Sequence, residues 1–242
     1  MIEQVYFSHA VKPFEIDFLK RWNVSAYNDQ NQPALFCGVY NDADVAIINK
    51  HKGFKLILNT GRERDCFVNI DPKNVVVCRT TMWGKEWSKF KYVNANFELK
   101  DYSDFKPAKL GESVYIYVGN EQQKNLYFYD IAKQVESAIK YPVIYGMKKK
   151  SIDYVKENYY KNSFVNLKLN VHGGMVTATE MACMGRRSIS NNDAPFCLSY
   201  KSVNDIVELI EIEAKKIGTI QKSQIGNHFF TKDWRQLDQW TS

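Results

Sequence analysis

Short runs of branched apolar residues, each the length of one buried strand, alternate in this chain with stretches of helical periodicity. A helix is predicted between the first two runs. Phe14, Phe18 and Trp22 recur there at four-residue spacing, after a proline that suits a first helical turn. Apolar strands that alternate with helices are typical of a parallel sheet covered on both faces. The first hundred residues therefore predict an α/β unit. Its strands are predicted at Val5–Phe7, Val45–Ile48, Leu56–Leu58 and Val75–Cys78.

The same alternation resumes after a polar stretch, Lys100–Lys109, which we interpret as a linker. The whole chain is then predicted to form two small Rossmann-like lobes that face a cleft, with ligands at the carboxyl ends of the strands. The lobes would span 1–107 and 108–228, and residues 229–242 would form a tail that packs across both. In the second lobe, strands are predicted at Val114–Val118, Val143–Gly146 and Val165–Leu169, and helices at Gln122–Lys140, Ile152–Tyr160, Thr177–Met184 and Val203–Ile217.

Composition limits the setting of the protein. No stretch approaches the roughly 18 to 20 apolar residues of a membrane helix, and the first residues lack the pattern of a signal peptide, so we expect no membrane span and a cytoplasmic location. The five cysteines are scattered, which indicates reduced thiols and no metal site. A formal net charge of +6 favours phosphate-bearing partners, although a genome rich in lysine and asparagine codons produces the same balance.

The most informative segment is a glycine turn before a helix. Gly173 and Gly174 allow a close backbone approach, and the first amides of the following helix lack internal partners, which suits an anion. Hydroxyls such as that of Thr177 suit a diphosphate, and Glu180 lies one turn into the helix, where a carboxylate suits a pair of sugar hydroxyls. The alternative is a simple turn followed by a solvated carboxylate.

The run Thr179–Gly185 followed by Arg186–Asn191 resembles the donor site of GT-B glycosyltransferases, in which a glutamate, a helix of small residues, a glycine and a short strand occur in that order. By this resemblance, Glu180 would bind the ribose of a nucleotide donor. The loop and first helical turn would hold the diphosphate through Gly173, Gly174, Met175, Val176 and Thr177. Many retaining members carry an earlier glutamate eight positions before, and here that position is His172.

The segment Val114–Asn120 resembles the strand and glycine turn that open the C-terminal lobe of the same family. The resemblance implies donor contacts by Gly119 and Asn120, by the basic Lys124 soon after them, and by Tyr145 at the end of the next strand. It implies no tightly bound cofactor and no metal, with a nucleotide-diphosphate sugar, such as a UDP-sugar, as co-substrate. Helix-end amides and a basic side chain would stabilise the departing diphosphate.

The strand ends of the first lobe are where this family receives its acceptor. His9 and Asp65, with His172 in the second lobe, are the candidate catalytic residues. The small size and basic charge resemble the compact transferases with which viruses of bacteria glycosylate hydroxymethylated bases in DNA, which would place the protein in a host cytoplasm. Residues expected to contact DNA phosphates are Arg62, Arg64, Lys85 and Lys89.

The sequence thus predicts a metal-independent glycosyltransferase that uses a nucleotide-sugar donor, with a hydroxymethylated DNA base as one acceptor. Two alternatives stay open. One is a transferase that acts on a surface or lipid-linked glycan, and the other is a non-catalytic module of the same fold that binds nucleotides or nucleic acid.

Overall fold

The computed structural model describes residues 1–59, 64–79, 89–94, 99–118, 121–147, 150–170, 175–192, 194–225 and 233–242. The chain divides into two compact units, one made of Met1–Asp101 with Phe229–Ser242 and the other of Tyr102–His228. Each contains one parallel sheet with helices, which confirms the predicted α/β class. Within the described ranges, no helix combines the length and the apolar character needed to cross a membrane.

The first unit is built on a sheet of six strands, all paired in parallel. The spatial order is β2-β1-β3-β4-β5-β6, so the chain leaves β1 toward one edge and returns to build the other edge from β3. The strands are β1 (Gln4–Phe7), β2 (Ser25–Ala26), β3 (Ala34–Cys37), β4 (Lys55–Asn59), β5 (Val75–Arg79) and β6 (Lys91–Asn94). The helices are α1 (Glu15–Trp22), which follows a 3-10 turn at His9–Phe14, α2 (Asp42–Lys50) and α3 (Arg64–Phe67).

The predicted strand Val45–Ile48 is wrong, because these residues lie in helix α2. The helix begins with a reciprocal cap: the Asn41 side chain accepts a bond from the Asp44 amide at 3.0 Å, and the Asp44 carboxylate accepts one from the Asn41 amide at 3.2 Å. An apolar run of four residues fits a strand and a buried helix equally well. The cap decides between them.

The second unit is built on a parallel sheet of five strands in the order β11-β10-β9-β7-β8. The strands are β7 (Ser113–Tyr117), β8 (Val143–Gly146), β9 (Ser163–Leu167), β10 (Arg187–Ile189) and β11 (Cys197–Leu198). The helices are α4 (Tyr129–Ala138), α5 (Ile152–Val155), α6 (Val176–Cys183) and α7 (Val203–Ala214), with a 3-10 segment at Glu121–Tyr127 and a π-helical turn at Lys156–Tyr160.

The helix predicted at Gln122–Lys140 is divided in two. Phe128 has a left-handed backbone (φ 54°, ψ 47°), which separates the 3-10 segment from α4. A bulky residue is rarely found in this conformation. The spacing of the apolar residues does not reveal a single left-handed residue. The sequence therefore predicted one helix where the structure has two elements.

Strand alternation gives the second sheet two different faces. Val114, Ile116 and Leu167 pack on the side that carries α4 and α7. Tyr115 and Asn166, which are paired across β7 and β9, belong to the opposite side, toward α6. Both faces are covered, so polar side chains on the α6 side are buried.

The C-terminal residues complete the core of the first unit. Trp234 and Trp240 are fully buried there, and Trp234 lies 5.6 Å from Phe18 between ring centroids. The Ile2 amide donates to the Arg235 carbonyl at 2.7 Å. A last short helix, α8 (Asp238–Thr241), ends the segment. The predicted packing of this tail onto the other lobe stays a prediction.

Candidate functional site

The centre of the second sheet has the geometry of a ligand crevice. β7 and β9 are neighbours, but the chain leaves β7 toward β8 on one side and leaves β9 toward β10 on the other. In open α/β sheets, ligands bind where the strand order reverses in this way, outside the carboxyl ends of the strands. Lys168–Asn170, which follow β9, and the start of α6 lie toward this edge of the sheet.

The equivalent point in the first unit lies between β1 and β3, and it is closed by a buried carboxylate. Asp44 accepts hydrogen bonds of 2.7 Å from the Ser8 and Tyr6 hydroxyls and one of 2.8 Å from the Tyr40 amide. Asp44 is 1% exposed. Its oxygens are committed to the chain itself, so this network stabilises the turn after β1 and leaves the second unit as the better candidate for a ligand.

Helix α6 carries two of the predicted donor residues. Glu180 is buried, with 2% exposure, and its Oε2 accepts a hydrogen bond of 2.5 Å from the Tyr160 hydroxyl. The Thr177 hydroxyl lies within hydrogen-bonding reach of the same tyrosine. The alternative of a solvated carboxylate at Glu180 is therefore wrong, since the structure buries this group and bonds it to the buried Tyr160.

Tyr160 is fixed by its aromatic neighbours. The Tyr115 ring meets it edge-on at 5.3 Å between centroids, and the Tyr115 hydroxyl in turn packs over Gly146, where a Cβ would lie 2.1 Å away. Burial, followed by the charge of Glu180, raises the pKa of Tyr160 well above its ordinary value. Tyr160 therefore stays protonated and donates to Glu180 at any physiological pH.

Lys168, the residue after β9, is a second buried polar group at this edge. Its exposure is 8%, and its Nζ donates to the Asn170 carbonyl. Burial lowers the pKa of Lys168 from 10.5 to about 8. Among the described residues, no carboxylate forms an ion pair with it. A buried ammonium without a counter-ion is costly, and it suits an anion that arrives from outside.

Ser190 and Thr179 border the same region. The Lys168 amide donates to the Ile189 carbonyl at 3.0 Å, so Lys168 and Ser190 lie side by side at the ends of β9 and β10. Lys168, Ser190 and Thr179 of α6 are all buried. Within the described part of the chain, the Ser190 and Thr179 hydroxyl oxygens have no hydrogen-bond partner. Buried polar groups normally have one, so these two hydroxyls are candidates for contact with a ligand.

Two further predicted donor residues lie on other surfaces of this unit. Lys124 forms an ion pair with Glu121, and its ammonium lies 4.9 Å from the Tyr129 ring centroid. Tyr145 faces α4, where its hydroxyl donates to Glu136 at 3.1 Å and Lys133 lies over its ring. The described contacts of these residues do not bring them to Glu180. Met175 and Val176 form the start of α6, and Met175 provides no side-chain cap for it.

In the first unit, the structure describes few of the predicted side chains. His9 is exposed at the start of the 3-10 turn after β1. The Lys89 ammonium donates to the Val68 and Ile70 carbonyls at 2.8 and 2.7 Å, so it anchors a loop after α3. The backbones of Arg64 and Asp65 belong to α3, but their side chains are outside what the structure describes. Also outside the described residues are Arg62, Lys85, Gly119, Asn120, His172, Gly173 and Gly174.

A cavity of about 660 Å³ lies in the second unit at the opposite edge of the sheet. It includes Ser113 and Asn162, which stand at the amino ends of β7 and β9, and no predicted site residue lines it. Because parallel sheets bind ligands at their carboxyl ends, we regard the Glu180 and Lys168 region as the better site.

Sequence reasoning missed Lys168, Tyr160 and Ser190. The alternation in Val165–Leu169 made Lys168 resemble the solvated face of a strand. The available signal was that a parallel sheet is covered on both faces, which would have buried that lysine. Tyr160 and Ser190 carried no local signal, since their importance comes from contacts with α6 and β9.

Within the described residues, no group of three or more histidine, cysteine, aspartate or glutamate side chains is arranged to hold a metal ion. No protein-family model and no curated protein sequence matches the chain.

Proposed function

We propose that this protein is a glycosyltransferase whose second unit binds a nucleotide-diphosphate sugar at the carboxyl edge of its sheet. The observation that carries the proposal is the hydrogen-bonded pair of buried Glu180 and Tyr160, with the half-buried Thr177 beside it on α6. A carboxylate placed one turn inside a helix that begins beside a sheet crevice can bind a ribose while the helix start faces a diphosphate.

In this reaction the protein has to position the donor and to stabilise negative charge on the leaving group. In the transfer, the bond from the anomeric carbon to the diphosphate oxygen breaks, and a bond from the anomeric carbon to the acceptor oxygen forms. The acceptor hydroxyl gives its proton to a base or to the departing diphosphate, and negative charge grows on the leaving oxygen. The start of α6 supplies backbone amides and the positive end of its dipole to that charge. Thr177 supplies a hydroxyl, and Glu180, oriented by Tyr160, holds the ribose in register.

The direct test is a donor screen with purified protein. We expect one class of nucleoside diphosphate to bind, and UDP is tried first. When an acceptor is present, the corresponding nucleotide sugar should be consumed and the nucleoside diphosphate released. Glu180→Gln should weaken nucleoside diphosphate binding about tenfold or more, since hydrogen bonds to a charged group contribute about 1.5–3 kcal/mol. Glu208→Gln on the exposed side of α7 is the matched control. Unchanged binding by Glu180→Gln would refute the proposal.

The net charge of +6 favours a polyanionic acceptor, and we propose hydroxymethylated DNA as the first acceptor to test. Transfer to DNA with hydroxymethylated bases, but not to unmodified DNA of the same sequence, would identify it. Transfer to a glycan acceptor would retain the enzyme class and replace the acceptor. Nucleotide binding with neither transfer nor donor hydrolysis would instead favour the non-catalytic module.

A further inference from the structure

Lys168 does not belong to the cluster on α6, but it lies on the same side of the sheet. Asn166 and Ser188 face each other across β9 and β10, with their side chains 2.9 Å apart. Side chains on one face of a sheet recur every second residue, so Lys168 and Ser190 form the next pair toward the carboxyl edge. α6 covers both strands on this face.

Among the described residues, no carboxylate is paired with Lys168. Burial lowers the pKa of Lys168, and the nearby Cys197 thiol on β11 raises it by less. On α6, Glu180 is engaged by Tyr160. Just before β10, the Arg186 guanidinium donates to backbone carbonyls at the amino edge, among them that of Ser163 at 3.1 Å. Ser190 adds a buried hydroxyl with no partner among the described residues. An oxygen-rich anion would satisfy both the ammonium and the hydroxyl.

We propose that Lys168 and Ser190 form an anion subsite that contacts the diphosphate of the nucleotide-sugar donor, beside the start of α6. This inference rests on the proposed function for the identity of the ligand. It assigns the phosphate contact to a buried strand-end lysine instead of Lys124, whose ammonium is paired with Glu121.

The subsite makes binding sensitive to protons. Lys168 must be charged to hold an anion, and its pKa in the free protein is about 8. Affinity for a nucleoside diphosphate should therefore be constant below about pH 8 and should fall up to about tenfold per pH unit above it. Lys168→Arg keeps the charge at every pH used, so its affinity should stay level from pH 7 to 9.5.

The experiment is isothermal titration of wild-type protein and variants with UDP, other nucleoside diphosphates and inorganic pyrophosphate. Lys168→Met should weaken binding about tenfold or more and remove the alkaline decline, and Ser190→Ala should weaken it less. Lys140→Met removes an exposed lysine and should leave binding unchanged. Folding of each variant is checked by amide hydrogen exchange in β7 and β9.

The outcomes separate the two proposals. Nucleoside diphosphate binding that is equally strong in Lys168→Met, with the same pH profile, would overturn the subsite and leave the transferase standing. Pyrophosphate binding that depends on Lys168, without any nucleoside diphosphate binding, would support the subsite and overturn the transferase. Binding of neither ligand would overturn both.

Discussion

Replacing Lys168 by methionine should stabilise the second unit at neutral pH, because it removes a buried charge. The folded protein holds the pKa of Lys168 at about 8, whereas the ordinary value is 10.5. A difference of this size corresponds to about 3 kcal/mol of destabilisation while the group is charged, at about 1.36 kcal/mol for each pH unit. The lost bond to the Asn170 carbonyl offsets about 1 kcal/mol, so we expect a net gain of about 2 kcal/mol.

The gain should depend on pH in a defined direction. Below about pH 8 the lysine is protonated in both states, and the folded protein carries the full cost. Between pH 8 and 10.5 the folded state releases its proton first, so the unfolded state binds more protons and stability rises with pH. The advantage of Lys168→Met should therefore be largest near pH 7 and should shrink as pH approaches 10.

The two units can be followed separately in one sample. All five tryptophans belong to the first unit by sequence, so tryptophan fluorescence reports its unfolding. Amide hydrogen exchange in β7 and β9 reports the second unit. Lys168→Met should slow exchange there at pH 7 without changing the fluorescence transition, and the exposed Lys140→Met should stay within about 0.5 kcal/mol of wild type. A destabilised Lys168→Met, or a gain that is the same at pH 7 and 10, would refute the reasoning.

Three further predictions concern the same unit. Tyr160→Phe removes the 2.5 Å bond to Glu180 and should raise the donor KM about tenfold with little change in kcat, because it disturbs ground-state and transition-state binding alike; an unchanged KM would contradict this role. Gly146→Ala places a Cβ 2.1 Å from the Tyr115 hydroxyl and should cost about 1–3 kcal/mol in thermal unfolding, with partial rescue by adding Tyr115→Phe; full stability of the single variant would show that this packing can relax. Arg186→Met leaves buried carbonyls without their donor. It should lower the free energy of unfolding, measured by amide hydrogen exchange in β9, by about 3 kcal/mol or more, and a change near zero would show that water replaces the guanidinium.

The sequence was informative where a strand is rich in branched side chains. β4, β5, β7 and β8 coincide with such runs, and the sequence predicted a strand at each of them. β3 has the sequence Ala34–Cys37, which contains no branched residue at Cβ, and it was not predicted. The run at Val45–Ile48 had the right composition for a strand, but a capping box at Asn41 and Asp44 made it a helix.

The candidate site was predictable only as far as one helix extends. Thr177 and Glu180 are three residues apart, so one helical turn brings them together, and the sequence indicated both. Tyr160 reaches Glu180 from a different element, and no local pattern encodes that contact. The sequence placed Lys168 in a strand but did not indicate that it is buried, because its burial depends on α6 covering the sheet.

The first unit consists of two segments of the chain that are separated in sequence by the whole of the second unit. Its core is closed by Trp234 and Trp240, which leave the ribosome after the whole of the second unit. During synthesis, the sheet that begins at β1 must wait, with an apolar surface uncovered, while more than a hundred later residues emerge and fold. The second unit can thus mature first, although it is encoded second.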